Sequence, residues 1–126
     1  MTEDELQARL DKAIPERDRY ALFVEECQDQ DVRIRFSPCA DEGWSTAARL
    51  TIVDTSLRAA AGIEAAITHL SMTRLRDPQS ADVIALSRVI RRDGDVVHAE
   101  AWLFSYAVVE ATLHATASLL SPPVHR

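Results

Sequence analysis

Residues 43–62 read G-W-S-T-A-A-R-L-T-I-V-D-T-S-L-R-A-A-A-G and predict one helix of about fifteen residues. Ser45 or Thr46 can serve as its N-cap, because a side-chain hydroxyl accepts a hydrogen bond from the free N–H groups of the first turn. Gly62 follows a run of alanines and can take the left-handed conformation that ends many helices. Asp54 lies in the middle of this largely apolar stretch. Because a carboxylate is costly to bury without a partner, Asp54 is the first candidate for a functional residue.

The composition of the 126-residue chain is that of one ordinary globular domain over 1–126, with 47% hydrophobic and 27% charged residues. The formal net charge of -6 disfavours nucleic acid as a partner, because phosphate binding requires clustered Lys and Arg. No apolar run is long enough to span a membrane, and the acidic start is unlike a secretory signal. Cys27 and Cys39 lack metal-type spacing and are expected to be reduced thiols. These features predict a cytoplasmic protein without a metal.

Upstream of the central helix, the pattern predicts a short N-terminal helix followed by two strands. Residues 2–12 are amphipathic, within an N-terminal helical region 1–14 that ends at a proline. Strands are predicted at 20–25 and at 32–36, where apolar and arginine residues alternate as V-R-I-R-F. The polar residues 28–31 between them predict a hairpin.

Downstream of the helix, the hydrophobic pattern changes to a period of two. Strands are predicted at 65–75, 83–91, 96–104 and 108–120. Asp93-Gly94 predicts a two-residue hairpin turn of type I′, which needs positive φ at both central positions. Prolines then stop the last strand and predict a frayed tail at 122–126. The chain is therefore expected to have an α+β fold, in which a curved antiparallel sheet of about six strands wraps around one long helix.

This order of elements resembles the hotdog fold. The chain is similar to the small acyl-CoA thioesterases of the phenylacetic-acid-degradation type. Three segments carry the resemblance: T-I-V-D-T-S-L-R-A-A-A in the central helix, I-T-H-L-S-M-T-R-L-R-D-P in the following strand, and the terminal strands at 83–105 and 114–120. The resemblance as a whole covers roughly residues 15–121, which implies the hotdog fold for nearly the whole chain.

The resemblance places Asp54 at the position of the family's catalytic acid. It implies hydrolysis of an acyl-CoA thioester at a dimer interface, where Asp54 acts as general base or nucleophile and the backbone N–H of Ala47 in the other subunit binds the oxyanion. Ser45 either holds the thioester or the water, or is only the N-cap. The structural alternative for Asp54 is an ion pair with Arg58 four residues further on. The implied assembly is a homodimer or homotetramer, and coenzyme A enters as part of the substrate, with no other cofactor.

The glycine loop of that family, N-x-x-G-x-x-H-G-G, is not retained. Counting back from Asp54, Cys39 stands at the Asn, and Ser45, Thr46 and Ala47 stand at His-Gly-Gly. β-Carbons at these positions hinder a substrate from lying against the backbone N–H groups. A second hypothesis therefore stays open, a non-catalytic hotdog module that binds an acyl thioester or serves as an assembly subunit. A hydratase reaction is a weaker alternative, because it usually needs a histidine beside the acid and none is near in sequence.

Further residues are candidates for binding the substrate, each with a plain structural alternative. They are Cys39, Trp44, Thr46, Thr73, Arg74 and Arg91. Thr73 lies where the family's strand borders the acyl-CoA site. Arg74 and Arg91 lie near strand ends, and guanidinium groups suit the phosphates of coenzyme A. Trp44 either gates the acyl pocket or caps the core.

Overall fold

Six antiparallel strands form one sheet in the structure, a computed structural model that describes residues 1–38 and 43–122. The strand order is β1-β2-β4-β5-β6-β3. The elements are α1 (Glu3–Ala13), a 3₁₀ turn (Glu16–Asp18), β1 (Phe23–Gln28), β2 (Asp31–Phe36), α2 (Thr46–Ala61), β3 (Ala66–Arg74), β4 (Val83–Asp93), β5 (Val96–Ser105) and β6 (Ala111–Leu120). The predicted α+β architecture, with one long helix, a short N-terminal helix and a six-stranded sheet, is confirmed.

Helix α2 begins and ends at the residues that its sequence predicts, Ser45 and Gly62. The Oγ atom of Ser45 accepts a hydrogen bond from the N–H of Ala48 at 3.1 Å. Gly62 ends the helix with a φ of 141°, in the positive region that favours glycine. These two residues fix the length of α2 and therefore the position of Asp54 along it.

The core lies between the inner side of α2 and the inner face of the sheet. Helix α2 contributes Ile52, Val53 and Leu57, all fully buried. The facing side of β5 contributes alternate residues, including Ala99 and Ala101, whose small side chains let the helix approach closely. Burial of each large aliphatic side chain contributes about 1.5–3 kcal/mol of stabilisation. The period-two pattern of the sequence is confirmed in this strand, and it fixes which side of α2 faces outward.

The first strand begins later than its sequence predicts. Residues 20–25 have a strand pattern, but β1 runs over Phe23–Gln28. Tyr20 and Ala21 have φ angles of 50° and 52°, which lie outside the strand region. They form the turn that leads from the 3₁₀ segment into the sheet, so the apolar residues there serve the turn and not the strand.

The last strand also begins later than predicted. The pattern at 108–120 extends beyond β6, because the chain is still turning at its start. Ala107 has a φ of 64°, and the N–H of Val108 donates back to the carbonyl of Ser105 at 3.0 Å. This turn delays the pairing of β6 with β5 until Ala111.

The hairpin between β4 and β5 is confirmed, but its turn differs from the prediction by one residue. Asp93 pairs with Val96, so the two central residues are Gly94 and Asp95. Gly94 has a φ of 61°, whereas Asp95 has a negative φ. Positive φ at the first central position alone is typical of a type II′ turn and excludes type I′. The glycine thus sets the turn, and the preceding aspartate remains in the strand.

The two edges of the sheet differ in how they are covered. Helix α1 lies along β1, where the side-chain amide of Gln7 donates to the carbonyl of Leu22 at 3.1 Å and accepts from the N–H of Val24 at 2.7 Å. At the other edge, β3 pairs with β6 on one side, and most of its residues are exposed. An open edge strand is a template for pairing with another chain. The sheet therefore has one covered edge and one open edge.

Over residues 1–38 and 43–122, the structure contains no helix with the length and apolar character needed to cross a membrane. Two further predictions fall on parts of the chain that the structure does not describe. They concern Cys39 and the frayed tail at 122–126, of which only Pro122 is described.

Candidate functional site

Asp54 lies on the outer side of α2, in a groove of about 530 Å³. The groove runs between the end of α1, the outer side of α2 and the open strand β3. Its lining includes Ile14, Leu50, Ile67 and Leu70 beside the carboxylate. The side chain of Asp54 is 41% exposed. The carboxylate is thus accessible from solvent in a groove that has apolar walls and also contains the charged side chains of Asp18 and Arg58.

The carboxylate of Asp54 is held by its own helix. Its Oδ2 atom accepts a hydrogen bond from Nη2 of Arg58 at 3.1 Å, and Nη1 of Arg58 donates to the carbonyl of Ile63 at 3.3 Å. The structural alternative predicted for Asp54 is therefore observed. The Oδ1 atom receives no hydrogen bond from any residue that the structure describes, so it is free to contact water.

The start of α2 presents backbone donors close to solvent. Ser45 accepts the N–H of Ala48 with its hydroxyl and the N–H of Arg49 with its carbonyl, at 3.1 and 3.0 Å. The N–H groups of Thr46 and Ala47 belong to the first turn, which has no partners within the helix. Both residues are exposed. Donors suited to an oxyanion are present, and the hydroxyl of Ser45 is engaged as the N-cap.

A single chain keeps Asp54 and Ala47 apart. They are seven residues apart on the same side of α2, which corresponds to about 10 Å along the helix axis. Reacting groups must approach to about 3–3.5 Å, so these two groups of one chain cannot act on the same carbonyl.

Trp44 and Thr73 have different environments. Trp44 is buried, its Nε1 donates to the carbonyl of Ala81 at 2.7 Å, and its ring lies 5.6 Å from that of Tyr20. These contacts favour its role in capping the core. Thr73 is exposed on β3, opposite His114, and does not line the Asp54 groove.

The two candidate arginines lie at opposite ends of the sheet. Arg74 lines a pocket at the start of α2 together with Ser45 and Thr46. Arg91 pairs with Asp93 at 3.0 Å in the β4–β5 hairpin. Eight residues of β4 separate Arg91 from the strand end next to the helix start, a length of about 26 Å. The structure therefore brings Arg74, but not Arg91, to the start of α2.

Arg49 is a residue that the sequence reasoning missed. It is only 3% exposed, and its Nε and Nη1 atoms are buried without a hydrogen-bond partner among the residues described. Burial lowers the pKa of Arg49, the positive charge of Arg74 lowers it further, and Asp77 opposes both. The one sequence signal that could have indicated a buried Arg49 is the presence of an arginine within the apolar first half of α2.

A polar cluster occupies the outer face of the sheet. The Oε1 atom of Glu100 accepts a hydrogen bond from Nε of Arg88 at 2.6 Å. Its Oε2 atom lies 3.1 Å from Nε2 of His114. The ring of His114 stacks on that of Trp102, with the two ring centroids 3.8 Å apart. Burial alone would raise the pKa of Glu100, but the hydrogen bonds of His114 and Arg88 outweigh it and lower the pKa. Within the described part of the chain, no three His, Cys, Asp or Glu side chains group together as a metal site.

Solved structures with the same architecture define this fold as the hotdog fold. A candidate thioesterase from a Silicibacter species matches 98% of this chain and 93% of its own, with a TM-score of 0.82 and 18% identity. Thioesterase superfamily member 2 from Mus musculus matches 95% and 97%, with a TM-score of 0.83 and 8% identity. A mutant of the phenylacetic acid degradation protein PaaI from Thermus thermophilus matches 86% and 100%, with a TM-score of 0.74 and 13% identity.

No protein-family model matches the chain, and no curated protein matches its sequence. At these identities, the structural similarity establishes the fold alone. The predicted hotdog fold is confirmed, and the reaction must be argued from the site itself.

Proposed function

We propose that this protein hydrolyses an acyl-CoA-type thioester at a site shared by two copies of the chain. Asp54 of one copy acts as general base or nucleophile, and the N–H of Ala47 in the other copy binds the oxyanion. The observation that carries this proposal is the accessible carboxylate of Asp54 in an apolar groove beside the open strand β3. The hotdog fold shared with thioesterase-superfamily structures supports the reaction class.

The helix geometry supports a two-fold arrangement. Asp54 and Ala47 lie two turns apart on one side of α2, so two antiparallel copies of this helix bring each carboxylate opposite the other helix start. The two-fold axis then passes beside Leu50 and Thr51, which lie midway between Ala47 and Asp54 along the helix. Leu50 is 45% exposed in the single chain, as an interface residue should be. Pairing of the open β3 edges of the two copies would bury the sheet edge that lies beside this side of α2.

The chemistry requires a base and an oxyanion site. In the general-base route, water attacks the thioester carbonyl carbon while Asp54 takes its proton, and the N–H of Ala47 stabilises the oxyanion. The C–S bond then breaks, and the thiolate leaves with the proton. In the nucleophilic route, the carboxylate attacks first and forms an anhydride, which water hydrolyses after the thiol has left. Both routes consume one water and release a carboxylic acid and a thiol.

Free-thiol release from short, medium, long and aromatic acyl-CoAs tests this function. Removal of the base in Asp54→Asn should lower kcat at least about 100-fold on every ester that the wild type hydrolyses. Asp95→Asn is the matched control, because Asp95 is exposed in the β4–β5 turn and should leave kcat unchanged. Equal rates for Asp54→Asn and the wild type would refute the role of Asp54.

A second candidate function is a non-catalytic module that binds an acyl thioester. The ion pair of Asp54 with Arg58 favours it, because it gives the carboxylate a structural partner. The β-carbons of Thr46 and Ala47 at the helix start favour it as well. Measurable binding of acyl-CoAs by the wild type, without turnover of any of them, would select this candidate over hydrolysis.

A further inference from the structure

A second pocket, of about 420 Å³, opens at the start of α2. It is bounded by the helix start at Ser45 and Thr46, by Arg49, and by the chain from Arg74 to Ser80. It shares no lining residue with the Asp54 groove. The pocket is therefore distinct from the Asp54 groove, although its Ser45 and Thr46 belong to the helix start that the proposed hydrolysis uses for the oxyanion.

Arg49 brings a buried positive charge to this pocket. Its residue number puts it in the first half of α2, and helix side chains lean toward the N-terminus, so its guanidinium group points to the helix start. Arginine keeps its charge in proteins, and a buried charge without a partner is costly. The Nε and Nη1 atoms of Arg49 are buried without a partner among the described residues, so its charge lacks a compensation that an anion in the pocket would supply.

The other groups that line the pocket also favour an anion. Arg74 is a second guanidinium group in the lining. The free N–H groups and the dipole of the first turn of α2, at Thr46, also favour an anion. Asp77 is the acidic residue of the lining, and its fully solvated carboxylate lies 3.9 Å from Arg74. Two guanidinium groups against one carboxylate, together with the helix start, leave a net positive site that favours a phosphate.

We propose that the pocket at the start of α2 binds a phosphate group of a small-molecule ligand, held by Arg49, Arg74 and the first-turn N–H of Thr46. The phosphate is either free inorganic phosphate or the phosphate ester of a larger molecule. Both are tetrahedral anions whose terminal oxygens accept hydrogen bonds from guanidinium and N–H groups. This site borders the helix start that the proposed hydrolysis uses, but it rests on its own geometry, so it is tested without any thioester and its failure would leave the role of Asp54 intact.

The test is calorimetric titration of the wild type with inorganic phosphate, pyrophosphate and adenosine 3′,5′-bisphosphate, with acetate at matched ionic strength. The phosphate compounds should bind, and acetate should bind much more weakly. Tighter binding of the bisphosphate than of free phosphate would identify an ester as the ligand, whereas equal binding would identify the free anion. Arg49→Met should weaken the binding at least about tenfold, since it removes a charged partner. Arg17→Met is the matched control, because Arg17 is 86% exposed and lies outside the pocket.

Arg74→Met keeps the test decisive if Arg49→Met does not fold. The side chain of Arg74 is mostly exposed, so its loss should leave the fold intact while it weakens phosphate binding severalfold. Absence of binding of every phosphate compound to the wild type would overturn the proposal. Unchanged affinity in both Arg49→Met and Arg74→Met would overturn it as well.

Discussion

Asp54 and Arg58 form an ion pair within α2 that orients the carboxylate proposed to carry the reaction. The pair leaves Oδ1 without a hydrogen bond from any described residue, while Oδ2 is occupied. A partly exposed pair at this spacing contributes only about 0.3–0.5 kcal/mol, so orientation is its main consequence. At the scale of single residues, the site is thus a held carboxylate beside apolar walls, which a second chain completes in the proposed function.

At the residue scale, Glu100 predicts how the free energy of unfolding depends on pH. Its pKa is lowered in the folded protein, so its ionised form stabilises the fold above its ordinary pKa, and this contribution is lost as the pH falls through the lowered value. Glu100→Gln should therefore be less stable than the wild type at neutral pH, and the difference should disappear once the pH has fallen below the lowered pKa of Glu100. Urea unfolding of both proteins across this range measures it.

The control for this prediction is Glu110→Gln. Glu110 forms a solvent-exposed ion pair with Arg76 at 3.0 Å, and such pairs contribute little. Its substitution should change the free energy of unfolding only slightly at either pH. A constant difference between Glu100→Gln and the wild type across the range would contradict the argument.

At the scale of elements, the sequence predicts most of what local chemistry decides. Helix α2 follows from its caps at Ser45 and Gly62, and the strands after it follow from alternating hydrophobicity. The predicted starts of β1 and β6 are wrong because Tyr20, Ala21 and Ala107 have positive φ angles without being glycine. Tertiary contacts impose these angles, and no local pattern marks them.

The same limit applies to the candidate site. Asp54 and the helix start could be predicted because they lie on one element of strong pattern. The burial of Arg49 could not, because it depends on the turn between β3 and β4 that closes the pocket. For Trp44, the sequence indicates a residue of interest at the entrance of the helix but leaves its role open. Only its hydrogen bond to the carbonyl of Ala81 shows that it caps the core.

At the scale of elements, the N-cap of α2 predicts how substitutions of Ser45 change the free energy of unfolding. Ser45→Ala removes the hydrogen bond to the N–H of Ala48 and should lower the free energy of unfolding by about 1 kcal/mol. Ser45→Asp restores an acceptor and a favourable charge at the helix start, so its stability should stay close to that of the wild type. Chemical denaturation measures both. Equal stability of Ser45→Ala and the wild type would contradict the capping role.

At the scale of the whole molecule, the uneven edges of the sheet point to association through β3. Helix α1 covers β1 through Gln7, whereas β3 stays open next to the groove that contains Asp54. The edge and the groove together form one surface. A second copy placed on it would cover both features at once.

Disruption of this surface should separate the subunits without unfolding them. Leu50→Asp places a charge next to the proposed two-fold axis, so it should convert the dimer to a monomer and abolish thioester hydrolysis. Val109→Asp is the control, because Val109 is 92% exposed and lies outside the groove. Sedimentation measures the mass of both variants. A wild type that is monomeric throughout would contradict the shared site.

Mixing of two inactive variants tests the shared site most directly. Asp54→Asn lacks the base, and Ala47→Pro lacks the backbone N–H, so each homodimer has a defect in both of its sites. A mixed dimer combines the intact Asp54 of one subunit with the intact Ala47 of the other at one of its two sites. Random exchange of equal amounts should therefore restore about a quarter of the wild-type activity. Activity of the mixture no higher than the mean of the two parents would contradict the account.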